Sequence, residues 1–107
     1  MAYLNAVNDG ATKFVTVSFK DENGDAVVPN SVKWSLSDPE GSTINGRDEV
    51  SETPAEEVTV VLSGDDLMYA DGGDRVLTIK AEYDSTLGNG LPIREEARFN
   101  IRDLVGV

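Results

Sequence analysis

An all-β sandwich is the fold this sequence predicts, on two observations. Apolar and polar residues alternate along several short runs, and turn-forming clusters separate those runs. Val15, Val17 and Phe19 share one face of the first strong run; Val32, Trp34 and Leu36 share a face of the next. Val58, Val60 and Leu62 form a third set, and Leu77, Ile79, Ala81 and Tyr83 a fourth. A period of two sends successive side chains to opposite faces, so each run reads as a strand buried on one side. Short strands between turn signals indicate a sandwich.

Taken in order, Tyr3, Leu4 and Val7 precede Asn8-Asp9-Gly10, and residues 1–10 read as an N-terminal arm or a short edge strand. Residues 12–20 form the first firm strand, closed by the turn cluster Asp21-Glu22-Asn23-Gly24-Asp25. The strand of 31–37 sends Lys33, Ser35 and Ser37 away from its apolar set and ends at Asp38-Pro39-Glu40-Gly41. Residues 42–57 are acidic, with Ile44 and Val50 as their apolar anchors, and fit one or two short edge strands plus a loop. After the strand of 57–63 comes a crossover to Asp74 holding one helical turn. Ser63 is its cap, Asp66 its capping-box partner, and Leu67 or Met68 plugs the end of the core. The strand of 75–84 leads through a loop over 85–90 into a final strand from about Leu91 to Ile101. Pro92 suits the start of that strand better than its middle. The domain proper spans 11–102, leaving a C-terminal tail of 103–107.

The 107 residues fit one domain, and a chain of this size builds a core without metal or disulfide. There is no cysteine, which removes thiolate zinc sites and disulfides. There is no histidine, which removes the imidazole base of Ser-His and Cys-His hydrolases. The formal charge of −11 repels nucleic-acid phosphates and anionic membranes, so neither is an expected partner. No export-signal pattern opens the chain, and no run nears the ~20 apolar residues of a spanning helix. The expectation is a complete, soluble chain made in the cytoplasm.

Few residues carry chemistry. Asp21, Asn23 and Asp25 match the first three ligand positions of a calcium loop, but Ala26 stands where glycine is needed and Val32 where the bidentate glutamate belongs. They read as an acidic hairpin. Asp65, Asp66, Asp71 and Asp74 flank Gly72-Gly73 and read as a solvated loop. No catalytic, metal-binding or cofactor-binding residue is expected, nor any cofactor. Trp34, with apolar neighbours two positions away on each side, reads as a core anchor. Asn45-Gly46-Arg47 reads as a turn. Arg94, Arg98 and Arg102 share the outward face of the last strand. They either pair across strands with Glu82 or form a basic stripe that seats an acidic patch of a neighbouring subunit. The tail Leu104-Val105-Gly106-Val107 either frays or adds to another chain's sheet edge. Candidate partner-binding residues are therefore Arg94, Arg98, Arg102, Tyr3, Leu4, Leu104 and Val105.

The succession Val15-Thr16-Val17-Ser18-Phe19, then Val32-Lys33-Trp34-Ser35-Leu36, then Val58 to Leu62, a helical crossover, Val76 to Tyr83 and Ile93 to Ile101 resembles an immunoglobulin-like domain. The resemblance implies about seven antiparallel strands with one short helical turn in a crossover loop. The two inter-sheet cysteines are absent, with aliphatic residues such as Val17 and Ile79 in their place, and no tyrosine stands at the tyrosine corner. The phrases Asp-Glu-Asn-Gly-Asp-Ala-Val-Val-Pro and Trp-Ser-Leu-Ser-Asp-Pro-Glu-Gly resemble bacterial and bacteriophage immunoglobulin-like modules. That resemblance implies a non-enzymatic virion accessory protein, a capsid decoration or cement or a neck or tail component. Its partners would be capsid, neck or tail subunits, or further copies of itself. The alternative is a carbohydrate-binding or adhesion module using Tyr3, Tyr69 and Phe14.

Overall fold

The computed structural model describes residues 2–104, with side chains described from Leu4 onward. Eight strands are present among them: β1 (Ala2–Tyr3), β2 (Val7–Asn8), β3 (Thr12–Ser18), β4 (Ser31–Ser37), β5 (Val50–Glu52), β6 (Glu57–Ser63), β7 (Asp74–Ser85) and β8 (Gly88–Arg102). The larger sheet runs β1-β8-β7-β4-β5, with β2 also paired to β8, and β3 and β6 form a second, two-stranded sheet. The protein is all-β. The alternating residues bury one face of each sheet in a single core: Val15, Phe19, Val58, Val60 and Leu62 from the smaller, Val32, Trp34, Leu36, Leu77, Ile79 and Phe99 from the larger.

Strand direction departs from the expected all-antiparallel set. β1 and β2 run parallel to β8, Ala2 opposite Ala97 and Val7 opposite Ile101. The N-terminal segment is thus an edge of the larger sheet, and the chain changes sheets at Gly10. That residue has φ +69°, and its N–H donates to Leu67 O at 3.0 Å. The acidic stretch after β4 supplies one short edge strand, β5, and its Ile44 is buried in the core.

The last hairpin is longer than expected. β8 begins at Gly88, because the Asp84 carboxylate accepts from Gly90 N–H and from the Asn30 amide, both at 2.8 Å, and so holds the predicted loop in strand pairing. Pro92 consequently lies inside the strand. Arg98 O and Arg102 O accept from Leu4 and Asp9 N–H on the side away from β7. Alternation places the nitrogen of Pro92 on that same outer edge, where no ladder hydrogen bond is lost.

Between β6 and β7 the chain makes two 3-10 turns, Gly64–Leu67 and Tyr69–Asp71, where one helical turn was expected. Leu67 plugs the core and is fully buried, and Asp66 Oδ2 accepts from Ser63 N–H at 3.1 Å. Arg75, in phase with Leu77 and Ile79, is also fully buried. Its Nε donates to Asp66 O at 3.0 Å, Nη1 to Gly72 O and Asp74 O at 2.8 and 2.9 Å, and Nη2 to Met68 O at 2.7 Å. One side chain therefore holds the whole crossover. Replacing Arg75 by Met should lower stability by about 3 kcal/mol, since it strips a donor from each of these carbonyls. Urea melts would read this as a lower midpoint at unchanged slope, and an unmoved midpoint would exclude the clamp.

Candidate interaction surfaces

Two solvent-facing sheet surfaces and one braced end are where this fold presents organised side chains. On the larger sheet, strand register sets Lys33 beside Lys80 and Lys80 beside Arg94, a row of three cations across β4, β7 and β8. Like charges side by side on adjacent strands repel. Glu49 relieves the row, its Oε1 accepting from Lys80 Nζ at 2.7 Å. The backbone of Glu49 lies in the left-handed region at φ +53°. The hydrogen bond from Lys80, and then its charge, hold the Glu49 carboxyl below the usual range.

The predicted arginine stripe is on this face, but its pairing differs from the expected one. Glu82 stands opposite Pro92, not opposite an arginine. Arg94 donates to Ile93 O of its own strand at 3.1 Å and to Ala81 O of β7 at 3.4 Å, and Arg98 pairs with Glu96 of β8 at 2.9 Å. Arg102 is exposed beside Asn8 of β2. The row across the strands was missed in the sequence because only register brings Lys33 and Lys80 to Arg94.

The smaller sheet presents a different outer face. Phe14 and Val61 are directly opposite each other and stand 67% and 48% exposed. Thr16 and Thr59 share a hydrogen bond of 3.0 Å beside them, and Thr12 faces Ser63. Glu57, opposite Ser18, is the one charged side chain among these outward positions.

At one end, the carboxylate of Asp66 is fully buried and accepts from Arg47 Nε at 2.8 Å and Asn45 Nδ2 at 2.8 Å. The Arg47 guanidinium also stands 5.7 Å from the centre of the Trp34 ring, so Asn45-Gly46-Arg47 is a turn that braces the crossover. Trp34 is buried and its Nε1 donates to Glu52 Oε1 at 2.8 Å. The Asp21 carboxylate accepts from Asn23 and Asp25 N–H, which is the acidic hairpin expected. Among the described residues no group of three Asp or Glu side chains is arranged to hold a metal ion.

Of the other candidate residues, Leu4 is half-buried against the core. With Pro39, Asp74 and Arg98 it lines an open cleft of about 370 Å³. Tyr3 lies in β1 opposite Arg98 by its backbone, and its side chain is outside the described set. Leu104 is half-buried, and Val105 lies outside the described residues. Tyr69 is 42% exposed with its ring against Gly73. Arg75 was overlooked in the sequence, although a charged residue in phase with Leu77 and Ile79 was a legible sign of a buried cation.

No family model, curated protein or solved structure matches this chain.

Burial by itself raises the Asp66 pKa, but hydrogen bonds from Arg47, Asn45 and Ser63 outweigh it and hold the carboxyl below its ordinary value. The unfolded carboxyl titrates near ~3.9. Its contribution to stability is therefore complete above that pH and is lost as pH falls through the lower folded value. Asp66→Asn should be less stable at neutral pH and lose part of the acid-side slope. Melting temperatures across pH 2–7 (roughly the window that spans both values) would check it, and parallel wild-type and variant curves would contradict it.

Proposed function

We propose that this chain is a non-enzymatic structural and interaction protein, an immunoglobulin-like sandwich serving as an accessory component of a phage virion. The observation that carries the fold part of this reading is the division of strands between sheets. In immunoglobulin-like sandwiches the second and fifth strands share one sheet, and the third, sixth and seventh share the other. With β3 as the second strand, β4 is the third, β6 the fifth, β7 the sixth and β8 the seventh. The smaller sheet then holds β3 and β6, and the larger holds β4, β7 and β8. The tryptophan strand β4 lies against β7, in agreement with that order, whereas β5, fourth in this count, joins the larger sheet and not the smaller.

Docking is assigned to the outer face of the larger sheet, where Arg94, Arg98 and Arg102 run along β8 and Lys33 and Lys80 extend the cationic row. On a chain of −11, this face is where an acidic surface of a capsid, neck or tail subunit meets the least repulsion. The assembled location is the virion, after synthesis in the host cytoplasm. A carbohydrate-binding role would call for aromatic side chains gathered on one surface. Phe14 lies on β3, and Tyr69 lies in the crossover against Gly73.

Mass spectrometry and electron microscopy of purified particles test the reading. The chain should co-purify in a fixed ratio to the capsid or tail protein, and Arg94→Glu with Arg98→Glu should reduce its occupancy at least about tenfold. Absence from washed particles would overturn it. So would a glycan-array signal that disappears on Tyr69→Ala, which would favour the carbohydrate role.

A further inference from the structure

A two-stranded sheet leaves one side of each strand without a neighbour. Two hydrogen bonds reveal which backbone groups line the free side of β3. Ala11 O accepts from Gly64 N–H at 3.2 Å, and Phe19 N–H donates to Glu56 O at 2.9 Å. The odd-numbered residues of β3 thus direct their peptide groups to β6. Alternation directs those of Thr12, Phe14, Thr16 and Ser18 outward. None of these groups has a backbone partner beyond the ladder among the described residues.

Of the other edges, that of β8 is closed and that of β6 bears the carboxylate of Glu57. The outer edge of β8 is covered by β1 and β2 and interrupted by Pro92. The free edge of β6 is shortened by Ser63, whose N–H is taken by Asp66. β3 carries no proline or bulge over its seven residues, and of the devices that blunt a free edge it has one charged side chain, the inward-turned Lys13. Beside it a cleft of about 210 Å³ opens between the sheets, lined by Leu4, Val15, Val17, Ile79 and Ala97.

We infer that β3 is a self-association edge, pairing antiparallel with β3 of a second copy about a two-fold axis at Val15. That axis sets Thr12 against Ser18 and Phe14 against Thr16, so every outward peptide group meets another outward peptide group. The result is a continuous four-stranded sheet, β6-β3-β3-β6, with a closed, self-complementary interface. Charge favours a second copy as the occupant. The sole charged residue of β3 is a cation, Lys13. Its side chain is turned away to Asn5 O at 2.9 Å and over the Phe99 ring at 5.3 Å. Two chains of −11 therefore meet on a strand that itself carries no carboxylate, although Glu95 and Glu96 also line the cleft beside it. An edge about 23 Å long buries well under the ~800 Å² per partner of a standard interface. The dimer is accordingly weak and concentration-dependent, and added salt strengthens it by screening the net charge. This inference does not rest on the virion reading.

Sedimentation equilibrium of the whole chain, with amide exchange at low and high concentration, tests it. The expected mass rises from one chain toward two with concentration, more so at high salt, while the Phe14 and Thr16 amides gain protection. Phe14→Glu sets two carboxylates diagonally across the axis, and Thr16→Pro removes an outward N–H; each should weaken dimerisation about tenfold or more. Leu87→Ser at the hairpin tip should leave it unchanged. Should Thr16→Pro fail to fold, Phe14→Glu at an exposed position carries the test with the exchange data. A chain that stays monomeric at every concentration, a dimer indifferent to Phe14→Glu, or growth beyond two chains would overturn the inference.

Discussion

A guanidinium removed from water must find acceptors for its N–H groups or destabilise the fold, because a buried, unsatisfied charge costs several kcal/mol. Arg75 meets that demand with backbone oxygens of Asp66, Met68, Gly72 and Asp74. Those carbonyls belong to the crossover joining the two sheets, so satisfying the charge dictates the path of the crossover. Asp66 then serves twice: its carbonyl receives Arg75 and its carboxylate receives Arg47 and Asn45 from the loop after β4. Leu67, next in the chain to Asp66, is fully buried and plugs the core. Burial opposes ionisation of Arg75 and lowers its pKa, while nearby Asp71, Asp38, Asp66 and Asp74 favour the charged form. The acidic composition at this end thus supports a cation the core would otherwise exclude.

The two outer surfaces divide the remaining roles. Charged side chains are concentrated on the larger sheet, where Lys33, Lys80 and Arg94 line up by register and Glu49 pairs with Lys80. The smaller sheet offers threonine, serine, phenylalanine and valine with one glutamate. A strongly negative chain keeps most encounters between copies repulsive. A strand edge whose one charge is Lys13 and a cationic row are the places where that repulsion is weakest, and they lie on opposite layers of the fold.

The buried set was legible because period-two alternation is a local property. Val15, Val32, Trp34, Leu36, Val58, Val60, Leu62, Leu77 and Ile79 are all core residues, and Ser63 and Asp66 stand where a capped turn was expected. Pro92 was misplaced for a reason that lies outside its neighbourhood. Proline is excluded from a strand only where its nitrogen faces a partner strand, and edge parity depends on how the whole sheet is ordered. The parallel pairing of β1 and β2 with β8 was equally out of reach, because residues nearly a full chain length apart decide it. The same holds for the surface: the arginine stripe along β8 could be read from spacing, whereas the row across three strands needed register.

The amino-acid sequence by itself determined an all-β chain, the face each main strand buries, the positions of the principal turns and the absence of imidazole and thiol chemistry. Those follow from side-chain chemistry at adjacent and alternate positions. Tertiary structure alone decided strand order and direction, the burial of Arg75, the pairing of Asp66 with Arg47 and the edge that β3 leaves open. Each of these is a contact between residues distant in the chain, and their energies exist only once the two sheets have closed on a common core.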